Sequence, residues 1–269
     1  MIIIGIDGLN WESALEYFND VFPNQNMKMI YNNVRRYTNT PDKPQPTLTG
    51  LLCMLSGEKI RDFDENLLQR FNPIYNENKP FNFIKKDGTP MELLFEAFEK
   101  PKIQYSHQGV NPYCNEEYFK YWTSLRPHVK ICPSEEWCIF PELFKKDYDL
   151  FHIHSEIGKV GVLQHGPYEQ GRIPAMIPFE KIRKDKPFTK EVYLFGLKRW
   201  KYIIKEYISK MLPEETIVIT SDHGTSLELP LNPKHIDEIP LIVNRDIDMS
   251  DIKFQWDFKK FIFRLKERE

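Results

Sequence analysis

Short apolar runs and longer stretches with apolar residues every three or four positions take turns along this chain. Met1 to Asp7 is a β-branched run that ends in a carboxylate and is followed by Gly8, the pattern of a parallel strand buried on both faces. Trp11 to Phe18 predicts a helix, and Met27 to Tyr37 a strand or edge segment. Pro41, Pro44 and Pro46 then predict an extended loop, because each fixes its own φ and keeps the preceding residue out of the helical region. The next stretch, Thr47 to Ser56, is apolar enough for a buried helix ending at Gly57.

From about residue 58 to residue 146 the pattern loosens into Asn, Pro and aromatic residues, with a short helix at Met91 to Glu99. This region reads as an insertion or cap over the sheet edge. Core pattern returns in a strand at Asp149 to His154, with His152 and His154 on one face. The best helix runs from Lys190 to Met211, where Tyr193, Leu197, Trp200, Ile204, Tyr207 and Met211 keep the spacing of one buried face. Pro213 ends it, and the apolar run Thr216 to Thr220 follows. Strand, helix and strand in this order predict right-handed crossovers and a mostly parallel central sheet flanked by helices. The expectation is one α/β domain over residues 1–269, with 58–146 as its cap or insertion.

Composition narrows the function classes. A chain of 269 residues, 41% hydrophobic and 14% aromatic, can bury one sizeable core. A net charge of −2 suggests no polyanion-binding surface, so no nucleic-acid polymer is expected as partner. There is no stretch of about 18 apolar residues to cross a membrane. Cys53, Cys114, Cys132 and Cys138 lack metal-finger spacing. With the amino terminus passing straight into a strand, they predict buried thiols in a cytoplasmic protein.

The chemistry concentrates at strand ends. Ser221-Asp222-His223-Gly224 closes the run Thr216 to Thr220, offering a hard oxygen and an imidazole nitrogen to a divalent metal at the carboxyl edge of the sheet. An ordinary Asp-His-Gly turn is the alternative. Asp7 would emerge at the same edge, or else cap the helix after it. Thr47, in the first turn of its helix, lies where unpaired N–H groups favour an anion; it would serve there as a nucleophile or as a plain N-cap. His152 and His154 either face the site or are hydrogen-bonded core groups. His107 and His128 read as surface groups of the cap, and Tyr113 to Trp122 as core packing or a pocket lining.

These pieces, in order, resemble the signature of the alkaline phosphatase superfamily: Asp7-Gly8, Pro46-Thr47 opening a helix that ends Leu55-Ser56-Gly57, His165-Gly166-Pro167-Tyr168, Ser221 to Gly224, and Ile239 to Val243. The sulfatase-like branch, with its phosphoethanolamine and phosphoglycerol transferases and its phosphodiesterases, is the most similar part. The resemblance implies a metal-dependent phosphohydrolase, a phosphodiesterase or phosphatase, acting on a small-molecule phosphate ester. It implies a metal, Zn2+ or Mn2+, held by Asp7, Asp222, His223 and the Thr47 oxygen. Thr47 would be the nucleophile, passing through a phosphothreonine intermediate. His165 would lie beside the transferred group or bind a second metal, and His235 resembles the late histidine of the phosphopentomutases.

Departures from that pattern leave other readings open. The Asp-x-x-x-His-like pair that completes a second metal site is absent, and Glu156 and Lys159 are the residues that could compensate. A sulfatase uses a modified Cys or Ser in a Cys-x-Pro-Ser-Arg context, whereas Cys132-Pro133-Ser134-Glu135 has neither the arginine nor the right place in the order. A sulfatase-like pseudoenzyme or binding module without turnover, or a sulfuric ester hydrolase, are the alternatives. Substrate and oligomeric state do not follow from the sequence.

Overall fold

The structure, a computed structural model, describes residues 1–32, 46–59, 92–106, 130–131, 143–156, 190–226 and 235–269. Seven strands form the central sheet: β1 (Ile2–Asp7), β2 (Asn26–Tyr31), β3 (Pro101–Ser106), β4 (Lys130–Ile131), β5 (Leu150–Glu156), β6 (Ile217–Thr220) and β9 (Glu238–Val243). Their order across the sheet is β2-β9-β6-β1-β5-β3-β4. All run parallel except β9, which is antiparallel to β6 on one side and β2 on the other. The short strands β7 (Gly224–Thr225) and β8 (His235–Ile236) form a separate ribbon.

Helices cover both faces. On one side lie α1 (Trp11–Tyr17) and α3 (Lys190–Tyr202), which bring Ala14, Phe18, Tyr193, Leu197 and Trp200 against Ile2, Ile4, Ile6, Ile217 and Ile219. On the other lie α2 (Pro46–Ser56) and α4 (Phe258–Lys266), whose Leu51, Met54, Phe258, Phe261 and Ile262 pack on Ile3, Leu150, Val218 and Leu241. Each strand sends alternate residues to opposite layers, so β-branched runs such as Ile2 to Ile6 serve two cores at once. This is the α/β architecture expected, a mostly parallel sheet flanked by helices.

Three local expectations change. Pro101–Ser106 and Lys130–Ile131, placed by sequence in the cap, are strands of the central sheet itself. Of the helix expected at Met91 to Glu99, the described residues form a single 3-10 turn, Leu94–Ala97, where Glu96 accepts from the Leu93 amide at 2.6 Å. The long helix Lys190 to Met211 is continuous, but its segment Ile203–Ile208 is π-helical. The extra residue per turn shifts the phase of the buried face. Tyr193, Leu197, Trp200 and Ile204 are buried as predicted, while Ile208 takes the inward place and Met211 is 59% exposed.

Trp200 is fully buried between α3 and the sheet. Trp200→Ala is expected to lower unfolding free energy by about 3–5 kcal/mol, read from denaturant melts followed by circular dichroism.

Candidate metal centre

Two strands that lie side by side deliver the acidic groups. β1 pairs in parallel with β6, so Asp7 and Asp222 leave the sheet at the same edge, and the bridge between Gly8 and Gly224 continues the pairing past both carboxylates. Gly8 has φ +83°, a left-handed turn in which a Cβ would also lie 2.8 Å from Thr225 Oγ1. The helix that follows is capped by Asn10, which accepts from Ser13 N at 2.7 Å and donates to Thr225 O at 2.6 Å. The Asn10 cap removes the capping role considered for Asp7, whose side chain is directed to the cluster instead.

Asp222, His223 and Asp7 meet. His223 Nε2 lies 3.0 Å from Asp7 Oδ1 and 3.4 Å from Asp222 Oδ2, while its Nδ1 is 3.1 Å from the Gly224 carbonyl. A hydrogen bond from Nδ1–H to that carbonyl would leave Nε2 to present a lone pair between the carboxylates, the usual orientation of a ligating histidine. Asp222 is fully buried, His223 nearly so, and Asp7 retains 10% side-chain exposure.

The electrostatics follow from this crowding. Burial disfavours charge on His223, but Asp222 and Asp7, with the Asp7 hydrogen bond and the Gly224 carbonyl, outweigh it and push the imidazole up to about 9. Without a metal, the cation that two carboxylates require is the His223 proton. A donor set of two carboxylates and an imidazole fits a divalent ion in its place.

His154 completes the group. It sits on β5 opposite Gly5 of β1, is 1% exposed, and holds Nε2 3.8 Å from Asp222 Oδ1. Ligand atoms of Asp7, His154 and Asp222 all lie within 4.8 Å of one another. Of the two orientations left open by the sequence, His154 therefore faces the cluster. His152 instead packs on Phe95, with ring centroids 5.6 Å apart, and burial together with its neighbour His154 holds it well below the usual imidazole range.

The Asp222 backbone is held as firmly as its side chain. Its carbonyl accepts from Asn32 Nδ2 at 2.5 Å and from Gln255 Nε2 at 3.0 Å, so both lone pairs are used. Gln255 also reaches Ser221 O at 2.9 Å. Ser221 Oγ lies 2.7 Å from the Ile6 carbonyl and 2.5 Å from the His223 carbonyl, which ties the turn to the end of β1. Helix α2 presses against the same carbonyl through Gly50, where any Cβ would fall 2.2 Å from Asp222 O. On the far side Tyr193 donates to Gly8 O at 2.9 Å. Asn32, Gln255 and Gly50 did not stand out in the sequence, and Tyr193 did so only as one residue of a buried helix face. Asn10 carried a readable capping pattern and Gly5 is an anomaly in an isoleucine run; the others act through contacts far apart in the chain.

The remaining expected site residues are placed only in part. Thr47 is in the first turn of α2, one turn before Gly50. Glu156 is in register with Asp7, and His235 pairs through its backbone with Thr225. The side chains of these three lie outside the described residues, as do His165, Lys159, His107, His128 and the Tyr113 to Trp122 segment.

No family model and no curated protein matches the sequence. Solved structures do. Alkaline phosphatase from the Antarctic bacterium TAB5 superposes with a TM-score of 0.52 at 10% identity, over 100% of this chain and 98% of that one. The fold is that of the alkaline phosphatases. The zinc-bound C-terminal periplasmic domain of EcEptC from Escherichia coli gives 0.53 at 9% identity, covering 98% and 81%. Ps i-CgsB in complex with k-i-k-neocarrahexaose gives 0.51 at 10%, covering 100% and 72%.

These alkaline-phosphatase-fold neighbours overturn the cytoplasmic setting expected from sequence. EcEptC is described as a periplasmic domain, and the cytoplasmic reading rested on where the chain starts and on its cysteines. Neither records a compartment. A thiol buried in a core, as Cys53 is, is compatible with any redox environment. Among the described residues no helix is long and apolar enough to cross a membrane.

Linkage of the His223 proton to folding gives a signed prediction. Its folded value near 9 exceeds the ordinary 6.5, so its contribution to metal-free stability is complete below pH 6.5 and is lost as pH rises through 9. The expected loss is about 3 kcal/mol, read as a lower urea midpoint at pH 9.5 than at pH 6. Zinc affinity should rise over the same interval, because the ion displaces that proton.

Proposed function

We propose that this chain is a metal-dependent phosphoric ester hydrolase, a phosphodiesterase or phosphatase, with Thr47 as nucleophile. The observation that carries the reading is the convergence of Asp7, Asp222 and His223 at the carboxyl edge of an alkaline-phosphatase-fold sheet, with a buried imidazole that two carboxylates keep charged. The zinc complex of the EcEptC domain supports a zinc-type ion, and the carboxylates would also accept manganese.

Thr47 is assigned from its backbone position. It lies in the first turn of α2, one turn before Gly50, and the close approach of Gly50 to the carbonyl of Asp222 supports a nucleophile from the start of that helix. The unpaired N–H groups of that first turn would bind the equatorial oxygens of a phosphoryl group. A divalent ion held by Asp7, Asp222 and His223 would lower the pKa of the Thr47 hydroxyl and stabilise charge developing on phosphorus oxygens. Thr47 would then attack in line to give a phosphothreonine that water hydrolyses. His165 and His235 are the proton donors proposed for the leaving oxygen, with residues 58–146, apart from β3, β4 and the core residues Leu93, Leu94, Phe95, Phe98 and Leu143, proposed as the substrate-selecting cap.

A threonine favours phosphorus over sulfur, since sulfatases use a modified Cys or Ser. Purified protein reconstituted with zinc or manganese should hydrolyse p-nitrophenyl phosphate or bis-p-nitrophenyl phosphate. Thr47→Ala should reduce kcat by about 10³-fold or more with metal content unchanged within about twofold. Asp222→Asn should abolish stoichiometric metal. Full activity in Thr47→Ala would exclude this nucleophile, and metal binding without any turnover would favour a binding module.

A further inference from the structure

His154 has no role in the ligand set that the sequence resemblance implies, yet the fold makes room for it at a specific cost. Gly5 is the one residue without a side chain in an otherwise isoleucine-rich strand, and a Cβ there would lie 2.3 Å from His154 Nδ1. The glycine is the seat of the imidazole. From it the ring extends to the oxygen of Asp222 opposite the one that faces His223: Nε2 is 3.8 Å from Asp222 Oδ1, whereas His223 Nε2 is 3.4 Å from Asp222 Oδ2.

That 3.8 Å separation is too long for a hydrogen bond. It is a natural spacing for two ligands of one ion, since donors about 2.0–2.1 Å from zinc stand roughly 3–4 Å apart. Asp7 belongs to the same three-donor group. We propose that His154 is a second imidazole ligand of the metal centre and that it selects zinc over manganese. The inference rests on the metal-centre reading above. It adds a nitrogen donor from β5 to the cluster of Asp7 and Asp222, beside the imidazole of His223. Imidazole favours zinc, while manganese is satisfied by carboxylates and water, so a second nitrogen widens the gap between them.

The test compares zinc and manganese affinity of the full chain and its His154→Gln variant by competition with a chromogenic chelator, and X-ray absorption of the zinc-loaded wild type. The expected result is a loss of zinc affinity beyond about 100-fold, more than an orienting neighbour of a ligand contributes, with manganese affinity changed less than about threefold. The wild-type spectrum should show outer-shell scattering from two imidazoles. Gly5→Ala should reproduce the zinc-specific loss by unseating the ring. Equal losses for both metals, no loss for either, or a single imidazole in the wild-type spectrum would overturn the inference while leaving the hydrolase reading intact. A wild type that binds neither metal would overturn both. Because the absorption measurement uses wild-type protein, the outcome does not depend on the variant folding.

Discussion

Two carboxylates at the ends of neighbouring parallel strands create a concentration of negative charge that must be neutralised where little water reaches. Asp222 is wholly buried and Asp7 nearly so. A cation between them relieves their mutual repulsion, and the protein supplies one in the absence of metal: a histidine whose pKa the two acids raise, placed against both. The remainder of the site is arranged around that requirement. Ser221 ties the turn to β1, Asn32 and Gln255 saturate the Asp222 carbonyl, and Gly224 O engages the far nitrogen of His223. Left uncompensated, such buried carboxylates would take up protons, so a cation at this point is what lets the acids stay ionised.

Space is the second constraint, and glycine meets it at two places where backbone or ring must come close. At Gly50 helix α2 touches the Asp222 carbonyl, and at Gly5 the His154 ring lies over strand β1. The first contact relates the start of α2 to the acidic cluster. The second sets the depth at which an imidazole stands beneath it. Both layers of core then brace the strands, through isoleucines that alternate between the α1/α3 and α2/α4 sides.

Much of this was legible in order of residue alone. The strand ending in Asp7, the helix opening at Thr47, the histidine strand and the Ser221 to Gly224 turn were read at the right places, because apolar run length and periodicity report burial directly. Reading failed where a local pattern depends on distant partners. Pro101–Ser106 looked like part of a cap because its sequence is polar, yet pairing with Leu150–Glu156 makes it a sheet strand. Met211 fitted the helical spacing but is turned outward by the π-helical turn before it. Asp7 could have been a helix cap until Asn10 was seen in that role.

What the sequence determined by itself was the alternation of strands and helices, hence the layered α/β sheet, and the residue types at its carboxyl edge. Those follow from hydrophobic period and from the chemistry of Asp and His. Only the tertiary structure decided which of these residues meet. The union of Asp7 with Asp222 and His223 depends on β1 lying beside β6, and the inclusion of His154 depends on β5 lying on the other side with a glycine opposite. Strand order is set by packing across more than two hundred residues, a long-range balance to which no local pattern has access.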